Sequence, residues 1–269
     1  MLYRRLQSKA SKTMENGSAG SLYWKAAAGE IESEVATGIM FQSSVDIARI
    51  TGVRVRDANG PVFEILEQKA LLAYMNRDRT RPGSLVTTAL ERLVLPFYRT
   101  DLERFRNLRK ISGIQEVEVI YSSVASAPVI KLTQQVPLPE TAEEQAKLAA
   151  MPELRVVRAP QNFTGTNGEL LSKGKSMKGN VEAIMLDTTN VTAARLRRRG
   201  IGELTRWDDE CLEEEAEERR FVDAVNPQII GIEMDEDGDG RGLCPAEDIE
   251  LEMDLSGANT AAAYLIVER

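Results

Sequence analysis

The residues best suited to chemistry are three aspartates at alternate positions of a glycine-rich segment. Asp235, Asp237 and Asp239 can converge on a hard cation such as calcium. The segment opens like an EF-hand loop, but the twelfth position is Ala246 and the flanking stretches are typical of strands rather than helices. The pattern therefore disfavours an EF-hand, and two interpretations are preferred: a solvated acidic turn that joins two strands, or an incidental or structural calcium site.

Two strongly charged stretches lie close together in the second half of the chain. Trp207 to Arg220 contains eight acidic residues and predicts a solvated helix face, whereas Arg195 to Arg199 is basic. The arginines could contact phosphate, but the interleaved aromatic residues of single-strand binders are missing. We therefore expect the basic run to pair with the acidic helix, within or between subunits, and we expect no specific nucleic-acid binding.

The composition excludes most catalytic schemes. The chain has no histidine, which removes Ser-His and Cys-His nucleophile pairs, imidazole bases and zinc sites with a histidine ligand. Cys211 and Cys244 are the only cysteines, so a four-cysteine zinc site is impossible, and the carboxylates beside Cys211 oppose thiolate formation. We expect a protein that is not an enzyme and that needs no cofactor, apart from the calcium considered above.

Length and charge indicate an acidic protein of two domains. The chain has 269 residues, of which 42% are hydrophobic, and 34 basic against 42 acidic side chains give a net charge of −8. Aromatic residues are only 5%, so the core must be mainly aliphatic. No apolar run approaches the roughly 18 residues of a membrane span, and no signal-peptide pattern is present. We expect a soluble protein that is synthesised in the cytoplasm.

The elements that must position these residues are mostly strands. Val53 to Arg56, Ile114 to Tyr121 and Ile249 to Leu255 alternate apolar and charged residues with period 2. Val62 to Asn76 has apolar residues at helical spacing and predicts one helix, while Asn162 to Asn180 reads as a long loop. The chain is therefore expected to be mainly β with short inserted helices.

Changes in composition divide the chain into four parts. Arg4, Arg5, Lys9 and Lys12 precede the first acidic residue, so the N-terminus predicts a basic flexible arm. Prolines bracket a later stretch of helix formers, which predicts a linker. The expected parts are the arm at 1–20, a first domain at 21–138, a linker with a short helix at 139–152 that Thr141 caps together with Glu144, and a second domain at 153–269.

The two domains repeat one another in the order of their elements. Arg54 aligns with Arg195 and Arg56 with Arg197 at an offset of 141 residues. Val117 to Val119 aligns with Ile249 to Leu251 at an offset of 132, and loops can absorb the difference. We therefore expect an internal duplication.

From about Gly20 to Glu268, the chain resembles the major capsid proteins of the corticovirus type. These belong to the double jelly-roll lineage of tailless, membrane-containing icosahedral phages and adenovirus hexons. The resemblance is carried by the following segments: Val53 to Arg56, the turn Asp57 to Gly60, the helix Val62 to Asn76, the hairpin strand at Val117 to Val119, Ile249 to Asp254 and Tyr264 to Glu268.

The resemblance implies two tandem eight-stranded jelly-roll β-sandwiches in one chain. Three chains would form a homotrimer of pseudo-hexagonal outline, and trimers would tile an icosahedral virion capsid over an internal membrane. Its partners would be neighbouring trimers, penton or minor capsid proteins, and membrane lipid through the arm at 1–20. Calcium stabilises some such shells, although no calcium ligand of the family maps onto Asp235, Asp237 or Asp239.

The alternative is a double jelly-roll protein that binds a receptor or carbohydrate, such as a virion spike or accessory protein. Such a protein usually exposes aromatic clusters that stack on sugars. Two tryptophans and six tyrosines are few for this purpose, so the capsid interpretation is preferred.

Overall fold

The computed structural model contains two compact units, Met1–Arg155 (unit 1) and Val156–Arg269 (unit 2). The residues that the structure describes are 3–43, 49–76, 92–97, 109–158, 163–165, 169–170, 179–187, 191–198, 202–208, 229–233, 244–256, 259–261 and 263–268.

Unit 1 is built mainly of strands, with two short helices. Its elements are β1 (Tyr3–Thr13), β2 (Gly20–Lys25), β3 (Val35–Ala36), β4 (Gly38–Ser43), β5 (Ile50–Asp57), β6 (Gly60–Ile65), α1 (Gln68–Asn76), β7 (Arg92–Pro96), β8 (Ile111–Ser112), β9 (Glu116–Tyr121), β10 (Val129–Leu138) and α2 (Ala142–Ala149). Within the described residues, neither helix is long and apolar enough to span a membrane.

Two four-stranded antiparallel sheets form unit 1. One has the order β1-β10-β4-β7, and the other has the order β2-β9-β5-β6. When these eight strands are numbered one to eight along the chain, the sheets read one-eight-three-six and two-seven-four-five. Unit 1 is therefore a jelly roll.

Unit 2 repeats this topology. Its strands are β11 (Leu154–Arg158, which begins at the unit boundary), β12 (Phe163–Gly165), β13 (Glu169–Leu170), β14 (Asn180–Asp187), β15 (Val191–Arg198), β16 (Gly202–Asp208), β17 (Ile229–Glu233), β18 (Cys244–Pro245), β19 (Ile249–Leu255), β20 (Asn259–Ala261) and β21 (Ala263–Glu268). The main sheets have the orders β11-β21-β14-β17 and β13-β19-β15-β16. When the eight strands of these two sheets are numbered one to eight along the chain, leaving out β12, β18 and β20, the sheets again read one-eight-three-six and two-seven-four-five. This order confirms the predicted double jelly-roll fold.

The core of unit 1 contains most of its large aromatic side chains. Trp24 on β2 and Phe41 on β4 meet across the two sheets with their ring centroids 6.1 Å apart, and both are fully buried. Phe63 on β6 contacts Tyr74 of α1 edge to face at 5.2 Å. The Tyr74 hydroxyl donates a hydrogen bond to the carbonyl of Pro96 at 2.7 Å, which fixes α1 against β7.

The core of unit 2 is aliphatic, as the low aromatic content predicts. Alternate residues of β14 and β21 pack against alternate residues of β15 and β19. The buried cluster consists of Val181, Ile184, Leu186, Val191, Ala194, Leu196, Ala246, Ile249, Leu251, Met253, Leu255, Ala263, Leu265 and Val267.

The N-terminal region differs from the flexible arm expected at 1–20, because β1 is the first strand of the jelly roll. It pairs with β10 along its whole length, from Tyr3 opposite Leu138 to Thr13 opposite Val129. Two of its basic side chains also form ion pairs within the unit, Lys9 with Glu32 at 3.0 Å and Lys12 with Glu30 at 2.6 Å. This strand depends on a partner more than a hundred residues away, which no local pattern reveals.

The helix predicted for Val62 to Asn76 is shorter than expected. Its first residues belong to β6, which forms a hairpin with β5 and places Phe63 opposite Val55. The turn is closed by the Asp57 carboxylate, which accepts a hydrogen bond from the backbone of Asn59 at 2.6 Å, and Gly60 has a φ of 125° that favours glycine. Helix α1 therefore begins only at Gln68.

The short helix expected in the linker is present as α2. The Thr141 hydroxyl accepts a hydrogen bond from the Glu144 backbone at 3.2 Å, as its capping position predicts. At the other end, Lys110 Nζ donates to the carbonyls of Leu148 and Ala149 at 2.8 and 3.1 Å. These contacts dock the helix on unit 1, and unit 1 ends at Arg155, three residues beyond the linker predicted at 139–152.

Candidate functional site

Unit 1 carries a row of ionic contacts on the outer face of the sheet β2-β9-β5-β6. The alternation of β5 explains its position, because Val53 and Val55 are fully buried while Arg54 and Arg56 point to the opposite face. Strand β9 alternates in register with β5. The residues of this row, which we call the unit-1 ladder, are Tyr23, Lys25, Arg54, Arg56, Glu64, Glu116 and Glu118.

Arg54 bridges three strands of the sheet. Its Nε lies 2.6 Å from Glu64 Oε1 on β6, and one terminal nitrogen lies 2.7 Å from Glu118 Oε2 on β9. Backbone pairing places Arg54 directly opposite both Glu64 and Glu118. The ionic contacts therefore join the same strands as the backbone hydrogen bonds.

Glu118 is the centre of the ladder. Its Oε2 lies 3.1 Å from Arg56 as well as 2.7 Å from Arg54, and its Oε1 accepts a hydrogen bond from the Tyr23 hydroxyl at 3.0 Å. Arg56 also contacts Glu116, which lies opposite it on β9. One carboxylate thus holds two guanidinium groups and a phenol in place.

These contacts shift the titration of the buried groups. Burial alone would raise the pKa of Glu118, but the Tyr23 hydroxyl and Arg54 favour the charged form, so its pKa lies below its ordinary value. Burial alone would lower the pKa of Arg54, because burial disfavours the charged form of any group. The bonds of Arg54 to Glu64 and Glu118 nevertheless raise its pKa above the ordinary value. Glu118 and Arg54 are therefore ionised at neutral pH, and the ladder has the character of a structural network.

Unit 2 has a ladder of the same design on β15 and β19, consisting of Arg195, Arg197, Glu252 and Asp254. Arg195 lies 3.1 Å from Glu252 and 2.6 Å from Asp254. Arg197 lies 3.0 Å from the other oxygen of Glu252. As in unit 1, a single glutamate on the seventh strand lies between two arginines of the fourth strand.

The two ladders occupy equivalent positions in the two jelly rolls. Arg54 lies opposite Glu118, and Arg195 lies opposite Glu252. The arginines keep the predicted offset of 141 residues. The glutamates differ by 134 residues rather than by the predicted 132, because Glu118 matches Glu252 and not Glu250.

The structure describes the side chains of two arginines of the basic run, Arg195 and Arg197, and both pair with acids of β19. Their predicted pairing with the acidic stretch after Trp207 stays a prediction. Trp207 and Asp208 end strand β16, and residues 209–222 lie outside the described residues. Sequence reasoning missed the roles of Glu118 and Glu252. The sequence did contain a pattern that could have revealed these roles. One strand of each antiparallel pair alternates apolar residues with arginine, and the other alternates apolar residues with acids.

The proposed calcium ligands Asp235, Asp237 and Asp239 lie outside the described residues. Among the residues described, no group of three or more His, Cys, Asp or Glu side chains could hold a metal ion.

Calcium binding at this loop remains a prediction with a direct test. If the ion is structural, EGTA should lower the melting temperature by about 5–10 °C, as expected for loss of a ligand present at about a hundred times its dissociation constant. Differential scanning calorimetry measures the shift, and the variant Asp237→Asn should no longer respond to EGTA. An unchanged melting temperature in the unsubstituted protein would remove the calcium site.

No protein-family model and no curated protein sequence matches the chain. Solved structures do match over its full length. The major capsid protein of bacteriophage PM2 superposes with a TM-score of 0.66 at 14% identity, covering 99% of this chain and 97% of that chain. A chain of Sulfolobus turreted icosahedral virus gives a TM-score of 0.63 at 10% identity, with 99% and 90% covered.

A third match extends the likeness to another virus. The capsid of the virus PBCV-1 contains a chain that superposes with a TM-score of 0.60 at 8% identity, covering 100% of this chain and 94% of that chain. The shared feature is the pair of jelly rolls described above. The chain therefore has the double jelly-roll fold of viral major capsid proteins.

Proposed function

We propose that this chain is the major capsid protein of an icosahedral virion and that it assembles as a homotrimer. The observation that carries the proposal is the presence of two jelly rolls with identical strand order in one chain. The likeness to the capsid protein of bacteriophage PM2 over nearly the whole of both chains supports it. In the assembled virion, trimers would contact neighbouring trimers and penton or minor capsid proteins.

The duplication gives a physical reason for a trimer. A chain with two similar units contributes two similar wedges to a ring, so three chains approximate six-fold symmetry. A ring of three closes only through contacts between two different surfaces of the same chain. Two related but non-identical jelly rolls provide such surfaces.

The ladders fit a structural role better than a catalytic one. In the unit-1 ladder, Glu64, Glu116 and Glu118 each contact an arginine. The Tyr23 hydroxyl and Arg54 hold Glu118 in the charged form, with its pKa below the ordinary value. Proton transfer would instead need a group with a pKa near the working pH. The contacts instead join neighbouring strands of the sheet. Such cross-strand links suit a protein whose sheets must resist mechanical stress in a capsid shell.

An internal membrane beneath the shell belongs to the same proposal and is supported by the resemblance to membrane-containing phages. The described part of the N-terminal region limits which of its basic residues could contact lipid. Lys9 and Lys12, two of the four basic residues of the expected arm, form ion pairs with Glu32 and Glu30. Contact with lipid would therefore depend on Arg4, Arg5 or other surfaces.

The oligomeric state tests the proposal. Sedimentation equilibrium of the purified protein should give a mass of about 89 kDa, three times the 29.8 kDa of the chain. Negative-stain micrographs should show particles with a hexagonal outline. A monomer at micromolar concentration would contradict the proposal, and a monomer that binds glycans on an array would favour a receptor-binding virion protein instead.

A further inference from the structure

The outermost charged groups of the unit-1 ladder are cations. The side chains of Lys25 and Arg56 are 59% and 33% exposed, whereas that of Glu116, which both of them contact, is 18% exposed. Glu118 is almost completely buried beneath the arginines. The face therefore shows positive charge to the solvent above a layer of carboxylates.

The chain as a whole carries a net charge of −8. Copies of an acidic protein repel one another at long range, and local patches where opposite charges meet favour and orient their association. We propose that the outer face of β2, β9 and β5, with Lys25 and Arg56 at its surface, binds an acidic surface of a second copy of this chain. The inference rests on the proposed function, because it assigns one of the contacts that would hold the trimer or the shell together.

A second copy fits this face better than a phosphate-rich surface does. Glu64, Glu116 and Glu118 balance the charges of Lys25, Arg54 and Arg56, so the ladder as a whole is neutral. A polyanion that is dense in phosphate would meet these carboxylates at close range. A protein surface with separated carboxylates can reach the exposed cations without approaching the acids below.

Lys25 is the best residue for the test because its substitution disturbs the ladder least. Its Nζ lies 3.9 Å from Glu116, at the limit of an ion pair, while Arg56 makes the shorter contacts. The chain also offers a matched control. Lys147 on α2 is 52% exposed and pairs with Glu143 at 2.7 Å, so Lys147→Glu changes the net charge by the same amount at another place.

The experiment compares Lys25→Glu and Lys147→Glu with the unsubstituted protein by sedimentation equilibrium. We expect Lys25→Glu to weaken self-association by about tenfold or more, because attraction becomes repulsion at each contact. We expect Lys147→Glu to change it by less than about twofold. Raising the salt concentration from about 0.05 M to about 0.5 M should weaken the unsubstituted assembly and have less effect on Lys25→Glu. Circular dichroism and the melting temperature establish that both variants fold.

Each contrary outcome has a distinct meaning. A folded Lys25→Glu variant that assembles as tightly as the unsubstituted protein would overturn the inference and leave the capsid proposal intact. Equal weakening by both variants would also overturn it, since net charge alone would then explain the result. If Lys25→Glu lost only binding to phosphatidylglycerol vesicles, the face would bind membrane and not a second copy. An unsubstituted protein that is monomeric would overturn the proposed function and this inference together.

Discussion

Replacing Trp24 by alanine should destabilise unit 1 by about 3–5 kcal/mol, the usual cost of removing a buried tryptophan side chain. Trp24 is fully buried and contacts Phe41 of the facing sheet at a centroid distance of 6.1 Å. Its indole N–H also donates to the carbonyl of Ala10 on β1 at 2.6 Å. The loss is a large part of the roughly 5–15 kcal/mol that stabilises a typical domain. Urea unfolding followed by far-UV circular dichroism measures it.

The variant Trp24→Phe separates packing from hydrogen bonding. It keeps an aromatic ring between the sheets but removes the donor to Ala10, so we expect a smaller cost of about 1–2 kcal/mol. If Trp24→Ala and Trp24→Phe lowered the free energy of unfolding equally, the hydrogen bond rather than the packing would dominate. A cost below about 1 kcal/mol for Trp24→Ala would show that Trp24 does not join the two sheets.

Glu118→Gln is expected to lower the free energy of unfolding at pH 7 by about 1.5–3 kcal/mol, the range for hydrogen bonds to charged groups. Glutamine keeps the shape of the side chain but removes the charge that holds Arg54 and Arg56. Those arginines keep Glu64 and Glu116 as partners, so the loss stays below that of an isolated buried pair. Urea unfolding of both proteins at several pH values provides the measurement.

The pH dependence of this difference follows from the depressed pKa of Glu118. In the unfolded chain a glutamate has a pKa of about 4.3, and in the folded protein the pKa of Glu118 is lower. The unfolded state therefore takes up the proton first as the pH falls. The stabilising contribution of Glu118 is complete above the unfolded pKa and is lost as the pH falls through the folded one. The gap between the unsubstituted protein and Glu118→Gln should close over that acid range.

Glu143→Gln is the matched control for Glu118→Gln. The pKa of Glu143 is also lowered, by its bond to Lys147, but this carboxylate stands exposed on α2. Solvent screens such a pair, so its loss should have too small an effect on stability to resolve. Equal destabilisation by both substitutions, or a difference for Glu118→Gln that does not shrink as the pH falls below the unfolded pKa, would contradict a structural role for the ladder.

Strong local patterns made the central strands predictable from sequence. The alternation of Val53 to Arg56 and of Ile249 to Leu255 reflects one buried and one ionic face, and both segments are strands in the structure. The cap at Thr141 is equally local, because hydroxyl and backbone lie within one helical turn. The duplicated pair of arginines followed from the same patterns.

The edges of the units were not predictable, because their structure depends on partners that are distant in the sequence. The polar strand β1 has no clear alternation and exists because β10 pairs with it. In the segment Ile31 to Val35, which has apolar residues at both ends, only Val35 lies in a strand, β3. The backbone of Glu32 is instead bound by a side chain, since the amide of Gln134 accepts from its N–H at 2.8 Å and donates to its carbonyl at 3.2 Å. A fully buried glutamine thus replaces a neighbouring strand, which no periodicity shows.

The sequence predicted the arginines of the candidate site but not the acids that bind them. The arginines were identified, but the sequence predicted no partner for Arg54 and Arg56, and for the run Arg195 to Arg199 it predicted the acidic stretch nearby rather than the acids of β19. Pairing between strands four and seven of a jelly roll joins residues about sixty positions apart. Strand order had to be known before the acids could be matched with the arginines.

The pairing of β1 with β10 also constrains how the protein is made. The ribosome releases β1 first, and β10 follows only after more than a hundred further residues. At about 5–20 residues per second, the nascent strand waits for roughly 6–23 seconds before its partner emerges. During this interval its eleven residues have no neighbour in the sheet, and other nascent chains on the same messenger can compete for it. Slower translation between β2 and β10 should therefore increase aggregation of newly made chains.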